Sequence, residues 1–167
     1  MTAASPHDVA LGAPALRGPV ACVDLETTGG MAVHHRIIEV GIVLLEGGEV
    51  VESWSSLVNP GVRIPPSIED FTGISNAMVE DAPPFEDLRR ELRRRLDGRL
   101  FVAHNARFDY GFVRNEFRRL GEKFSAPVLC TVKLSRALFR EHPRHNLDTL
   151  IERYGLECLQ RHRALGD

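Results

Sequence analysis

Val20-Ala21-Cys22-Val23-Asp24-Leu25-Glu26-Thr27-Thr28-Gly29 is the stretch on which the fold turns. Its first six residues form a short apolar run, with Gly18-Pro19 before it and Thr27-Thr28-Gly29-Gly30 close behind. A run of that length, framed by turn residues, reads as a buried strand. The strand ends in two carboxylates. Side chains alternate along a strand, so Asp24 and Glu26 share one face.

The neighbouring sequence extends this strand into a sheet. Residues 37–45 are apolar, rich in β-branched side chains, and read as a second strand. Gly47-Gly48 is a hairpin turn. Residues 49–58 return as a third strand, which Asn59-Pro60-Gly61 breaks. The period then changes. Pro65-Pro66-Ser67 opens a short helical segment reaching Phe71, and Ser75 caps another. Residues 85–96 place Phe85, Leu88, Leu92 and Leu96 on one helical stripe. Residues 100–103 form a fourth strand and 106–120 a helix, which Gly121 ends. Residues 127–130 form a fifth strand, with helices following at 131–139 and 147–154. The expected fold class is α/β: one mixed sheet with an antiparallel edge and parallel later strands.

Composition agrees with a single globular domain. The chain has 167 residues, 43% hydrophobic and 26% charged. Those proportions exclude a disordered, collagen-like or disulfide-scaffold chain. No apolar run approaches the ~20 residues of a membrane span. The first residues lack the pattern of a secretory signal. Cys22, Cys130 and Cys158 make no close pair, so reduced thiols in a cytoplasmic protein are expected, with Cys22 in the core. The net charge of −2 hides an asymmetry. Residues 1–85 hold three basic and eleven acidic side chains, and residues 86–167 hold eighteen and twelve. The acidic part could hold a cation and the basic part an anion, or both could be solvated surface.

Three clusters carry the chemistry. The first is Asp24-Leu25-Glu26. Two adjacent carboxylates suit a divalent cation with oxygen ligands, or a capping Asp24 beside an exposed Glu26. The second is His104-Asn105-Ala106-Arg107-Phe108-Asp109, where a strand hands over to a helix. Asp109 approaches Asp24 if strands one and four are neighbours. It otherwise serves the helix dipole. The third is His162-Arg163-Ala164-Leu165-Gly166-Asp167. Together they offer carboxylates from three segments and a histidine that titrates near neutrality. That inventory matches two-metal phosphoryl chemistry.

VDLETTG (23–29), HNARFD (104–109) and HRALGD (162–167) resemble the three exonuclease motifs of the DnaQ-like, DEDDh-type 3′–5′ exonucleases. The connecting text RIIEVG, LVNPG, FTGIS and RHNLDTLIERYGL fits as well. The family includes the epsilon subunit of DNA polymerase III. The resemblance also extends to the exonuclease domain of exonuclease/GIY-YIG fusion proteins. It implies an RNase H-like fold, a five-stranded mixed sheet flanked by helices. It implies hydrolysis of nucleotides from a DNA 3′ end, in proofreading or repair, with two divalent ions, Mg²⁺ or Mn²⁺. By position, Asp24, Glu26, Asp109 and Asp167 match the metal-binding acids and His162 the general base. Leu25, Thr27, Thr28, Thr72, Asn105 and Phe108 match contacts to the terminal nucleotide. The implied partners are a nucleic acid 3′ end, single-stranded DNA preferred, and DNA polymerase III subunits, with no membrane.

An RNA-directed exonuclease of the same family and a weakly catalytic 3′-end or polymerase-binding module are the alternatives. Residues 1–18 are expected to be a flexible tail. Residues 19–167 are expected to be the exonuclease domain, truncated at its C-terminal helix. Arg107, Arg114 and Arg163 are candidate phosphate contacts. The arginines at 89, 90, 93, 94 and 95 are expected on a solvated helix face. His104 is expected to support the site, and His145-Asn146 to open a helix.

Overall fold

The computed structural model describes residues 18–156 and 163–165. His162, Asp167, Cys158 and the tail expected at 1–18, Gly18 apart, lie outside the described residues. The strands are β1 (Val20–Thr27), β2 (Ile37–Glu46), β3 (Glu49–Leu57), β4 (Leu100–Ala103) and β5 (Val128–Cys130). The helices are α1 (Pro66–Thr72), α2 (Asn76–Glu80), α3 (Phe85–Leu96), α4 (Arg107–Arg119), α5 (Thr131–Leu138) and α6 (Leu147–Tyr154). They follow the expected order.

The sheet runs β3-β2-β1-β4-β5. Pairing is antiparallel for β1 with β2 and β2 with β3, and parallel for β1 with β4 and β4 with β5. Gly47 and Gly48 both have positive φ, 62° and 94°, which a two-residue hairpin of matching twist demands. β1 sits at the centre, so its C-terminal end is surrounded by other elements.

Alternation along β1 separates two layers. Ala21, Val23 and Leu25 face the main core, with Val40, Ile42 and Leu44 of β2 and Phe101 of β4. α3 and α4 cover that face with Phe85, Leu92, Leu96, Phe112, Val113 and Phe117. Phe117 meets Phe85 edge-on at 5.3 Å and stacks on Phe124 at 5.3 Å. Such a ring cluster is worth several kcal/mol per side chain, about 3–5 on truncation to alanine. The other layer carries Cys22, Asp24 and Glu26. Cys22 is therefore half-buried, lining a hollow with Gly41, Val43, Val102, Thr131 and Leu147, rather than packed in the core. Burial still pushes its thiol pKa up.

Arg93 and Arg95 depart from the expected solvated face of α3, while Arg94 keeps to it at 54% exposed. Arg95 is 5% exposed. Its guanidinium stacks on the Trp54 ring at 4.4 Å and pairs with Glu52 at 2.6 Å. Arg93 lies 4.3 Å over the Phe117 ring and bonds Glu122. Arg94 pairs with Glu52. Arg90 is exposed as expected. Part of the basic excess therefore fastens α3 to β3 and to the loop after α4. No described helix is long and apolar enough to cross a membrane.

Candidate active site

The first two motifs meet because β1 and β4 are parallel neighbours. β4 ends at Ala103, and the chain turns through His104, Asn105 and Ala106 into α4. Asn105 holds φ at +67°, a left-handed conformation that costs a non-glycine residue energy. That turn sets Asp109 in the first turn of α4, 2% exposed. Its carboxyl pKa is raised well above the usual range. Burial is the largest cause, and the charges of Asp24 and Glu26 add to it. Hydrogen bonds from the backbone N–H groups of Asp109 and Leu25 offset this only in part. Three carboxylates thus crowd the end of one strand, and the fully ionised trio carries an electrostatic cost.

That cost tests whether the residues suit a cation. Their donor atoms are all carboxylate oxygens, the set preferred by Mg²⁺ and Mn²⁺. Among the described residues, no three acidic, His or Cys side chains are drawn together as a closed ligand cage. The donor chemistry fits a divalent ion, and the described side chains form an open face rather than a finished shell.

A cleft opens beside the carboxylates. Asp24, Leu25, Glu26, Thr27, Gly29, Gly30, Ile68, Phe71, Thr72 and Phe108 line it. Of the sequence-derived contacts, Leu25, Thr27, Thr72 and Phe108 share this cleft. Asn105 instead lines an adjoining hollow with Arg107, Phe108 and Gly30. Phe108 borders both and leans on Phe112 at 4.8 Å, so it serves core and cleft together. Thr28 is buried, its hydroxyl accepting from the Arg36 N–H at 3.0 Å. The Thr72 hydroxyl donates to the Ile68 carbonyl at 2.8 Å and accepts from the Ile74 N–H at 3.1 Å. Its hydroxyl is engaged within its own turn, and the adjacent Phe71 ring, 59% exposed, is the more available surface. By resemblance, the sequence places Phe71 in the Phe71-Thr72-Gly73 segment that closes over a 3′ end, with Thr72 as the named contact. The available signal was an aromatic beside Thr72 in a short helix with no apolar stripe to join.

Supporting groups surround the site. His104 Nδ1 lies 2.9 Å from the Thr131 hydroxyl. His145 is buried between the Ser135 hydroxyl and the His142 carbonyl, and Asn146 precedes α6, as expected. The β1–β2 loop is tied to α4 through Glu116, 2% exposed, which accepts a two-pronged pair from Arg36 at 2.8 and 3.0 Å. Arg119 bonds Glu116 and the carbonyls of Ala32, Val33 and His35. Arg107 borders the second hollow, and Arg114 lies 5.7 Å over the Tyr110 ring. Arg163 departs from its expected role as a phosphate contact. Both its Nε and Nη2 are committed to Glu39.

Known proteins similar to this chain include named exonucleases and a DNA polymerase. The DNA polymerase III PolC-type of Bacillus subtilis (strain 168) is 38% identical over 146 residues, 86% of this chain and 10% of that protein. The 3′-5′ exonuclease DinG of the same organism is 43% identical over 149 residues, 87% of this chain and 16% of that protein. The chain spans under a fifth of either relative. Exonuclease X in complex with 5′ overhanging duplex DNA superposes with a TM-score of 0.70 at 29% identity, covering 88% and 82% of the two chains. E. coli Exonuclease I in complex with a dA16 oligonucleotide superposes with a TM-score of 0.78 at 18% identity, covering 90% and 38%, a likeness of fold. The RNase T exonuclease family model matches residues 21–167, and with the RNase H-like sheet and clustered carboxylates it makes this chain a member of that DnaQ-like exonuclease family.

Proposed function

We propose that the chain is a metal-dependent 3′–5′ exonuclease acting on DNA ends, in proofreading or repair. The observation that carries this is the crowding of Asp24, Glu26 and Asp109 where β1 and α4 meet, beside a cleft with an exposed aromatic wall. DNA as the substrate is supported by relatives named as a DNA polymerase and a 3′-5′ exonuclease, and by fold neighbours in complex with DNA. A DNA polymerase III subunit is the corresponding proposed partner.

In this reading Asp24, Glu26, Asp109 and Asp167 hold two divalent cations, Mg²⁺ or Mn²⁺. Bound cations of this kind supply Lewis acidity and a more acidic water. The chain's own residues do the rest. Phe71 and Phe108 grip the last base and sugar where Leu25 and Thr27 line the cleft, an arrangement in which ring stacking is sequence-tolerant. Backbone at Gly29-Gly30 lets the strand approach closely. His162 takes a proton from the attacking water as its oxygen bonds to phosphorus, the phosphorus–O3′ bond breaks, the freed O3′ takes up a proton from solvent, and a nucleoside 5′-monophosphate leaves.

A single-stranded DNA oligonucleotide labelled at its 5′ end tests the polarity. A ladder shortening from the 3′ end, stopped by a 3′-terminal block, is expected with Mg²⁺ or Mn²⁺. Retained binding without shortening points to the end-binding module, and faster shortening of the matching RNA points to an RNA-directed enzyme.

A further inference from the structure

Residues 163–165 lie across β2 on the face that carries Asp24 and Glu26. Register makes this a close approach. Gly41 of β2 sits opposite Asp24, and Glu39 sits opposite Glu26. A Cβ at Gly41 would run into the Ala164 carbonyl and stand 2.9 Å from the Leu165 nitrogen. Only a glycine admits the segment there.

Glu39 then grips what Gly41 admits. Its carboxylate is buried, 4% exposed, and both oxygens are occupied. Arg163 donates from Nε at 3.1 and 3.0 Å and from Nη2 at 2.6 Å. The Ala164 N–H donates at 2.9 Å. Ala164 is itself buried at 4%. A planar guanidinium meeting a carboxylate this way fixes direction as well as distance. The positive charge also lies within the field of Glu26. A pair with a buried carboxylate and a guanidinium 35% exposed is a poor source of stability in itself, but it specifies one geometry.

We infer that Glu39 and Arg163 are positioning residues: a clamp that docks the third exonuclease motif onto the first. The inference rests on the proposed nuclease reading. His162 precedes Arg163 directly, and Asp167 follows Leu165 by two residues. Consecutive Cα atoms are ~3.8 Å apart, so the anchored residues limit where both can reach. Neither clamp residue touches substrate. Both act through the segment they hold.

The test compares wild type with Glu39→Gln, Arg163→Gln and the double variant on 3′-labelled single-stranded DNA. Each single variant should lose about 100-fold in kcat, with KM for DNA within about threefold, as expected when ~1 Å of misplacement spoils geometry. The Mg²⁺ concentration for half-maximal rate should rise about tenfold. The double variant should be little worse than either single one, because both remove one interaction. Hydrogen exchange supplies a readout independent of activity: the Ala164 amide should exchange about 100-fold faster in Glu39→Gln, with the β1 amides unchanged. Should Glu39→Gln fail to fold, Arg163→Lys, which keeps the charge and loses the fork, carries the same predictions. Wild-type kcat in the folded variants, or a loss confined to KM, overturns the clamp. An inactive wild type overturns the nuclease reading instead, and Ala164 exchange still decides whether Glu39 holds the segment.

Discussion

Gly41→Ala is the smallest perturbation that reaches the junction of the motifs without touching a carboxylate. The added methyl would collide with the Ala164 carbonyl and stand 2.9 Å from the Leu165 nitrogen. Carbon contacts settle at about 3.5–4.0 Å, so something must move by roughly 1 Å or more. β2 cannot yield, because β1 pairs with it on one side and β3 on the other. Residues 163–165 must lift instead. Lifting them stretches the 2.9 Å bond from the Ala164 N–H to Glu39 beyond hydrogen-bonding range. A bond to a charged group contributes about 1.5–3 kcal/mol. In a domain of this size that converts to a fall of roughly 3–12 °C in Tm. Displacement on the order of 1 Å near reacting groups costs about 100-fold in rate. The assay pairs a thermal melt with single-turnover release of the 3′ nucleotide. Gly111→Ala is the control: nothing stands within 4 Å of its added Cβ, and it lies inside α4. It should gain about 0.5–1 kcal/mol from helix propensity and keep its rate. Wild-type rate and Tm in Gly41→Ala would refute the reasoning, because they would mean the segment does not press on β2.

Other perturbations test the carboxylates and the arginines. Burial first, then Asp24 and Glu26, hold the Asp109 pKa up, so its favourable contribution is full below the unfolded value near ~3.9 and is lost as pH rises through the folded value. Asp109→Asn should therefore be more stable than wild type at neutral pH in EDTA, with the gap closing on acidification in melts across that window. Mg²⁺ at 100 times its dissociation constant should raise wild-type stability by about 2.7 kcal/mol, or roughly 5–11 °C, and Asp109→Asn by much less. Arg95→Ala should lose about 1–3 kcal/mol in urea melts through its ring contact and packed stem, while Arg90→Ala stays within about 0.5 kcal/mol. Glu116→Gln should loosen the β1–β2 loop, seen as faster amide exchange at residues 32–36 with no change in the β1 amides, since Arg36 and Arg119 both depend on that carboxylate.

Local chemistry made much of this legible. The apolar run of β1, the paired glycines after β2 and the Phe85–Leu88–Leu92–Leu96 stripe each specify an element from a few adjacent residues. The meeting of Asp24 and Asp109 needed one further step, the adjacency of β1 and β4. What stayed hidden depends on partners distant in sequence. Arg163 reads as a free cation beside a catalytic motif until Glu39, 124 residues away, is seen to take it. Arg95 reads as one of a run of solvated arginines until Trp54 and Glu52 arrive from the neighbouring strand. Cys22 reads as core because an apolar run does not reveal which sheet face lies against the helices. Gly41 reads as an ordinary strand glycine, and only the packed segment above it explains why no side chain fits.

The most direct test of nuclease action is release of the terminal nucleotide from 3′-labelled single-stranded DNA, with Mg²⁺ or EDTA, by wild type and by Asp24→Ala. Release by wild type that requires the metal and disappears in the variant is the predicted result. Equal release by both proteins, or none by the wild type with either Mg²⁺ or Mn²⁺, would contradict it.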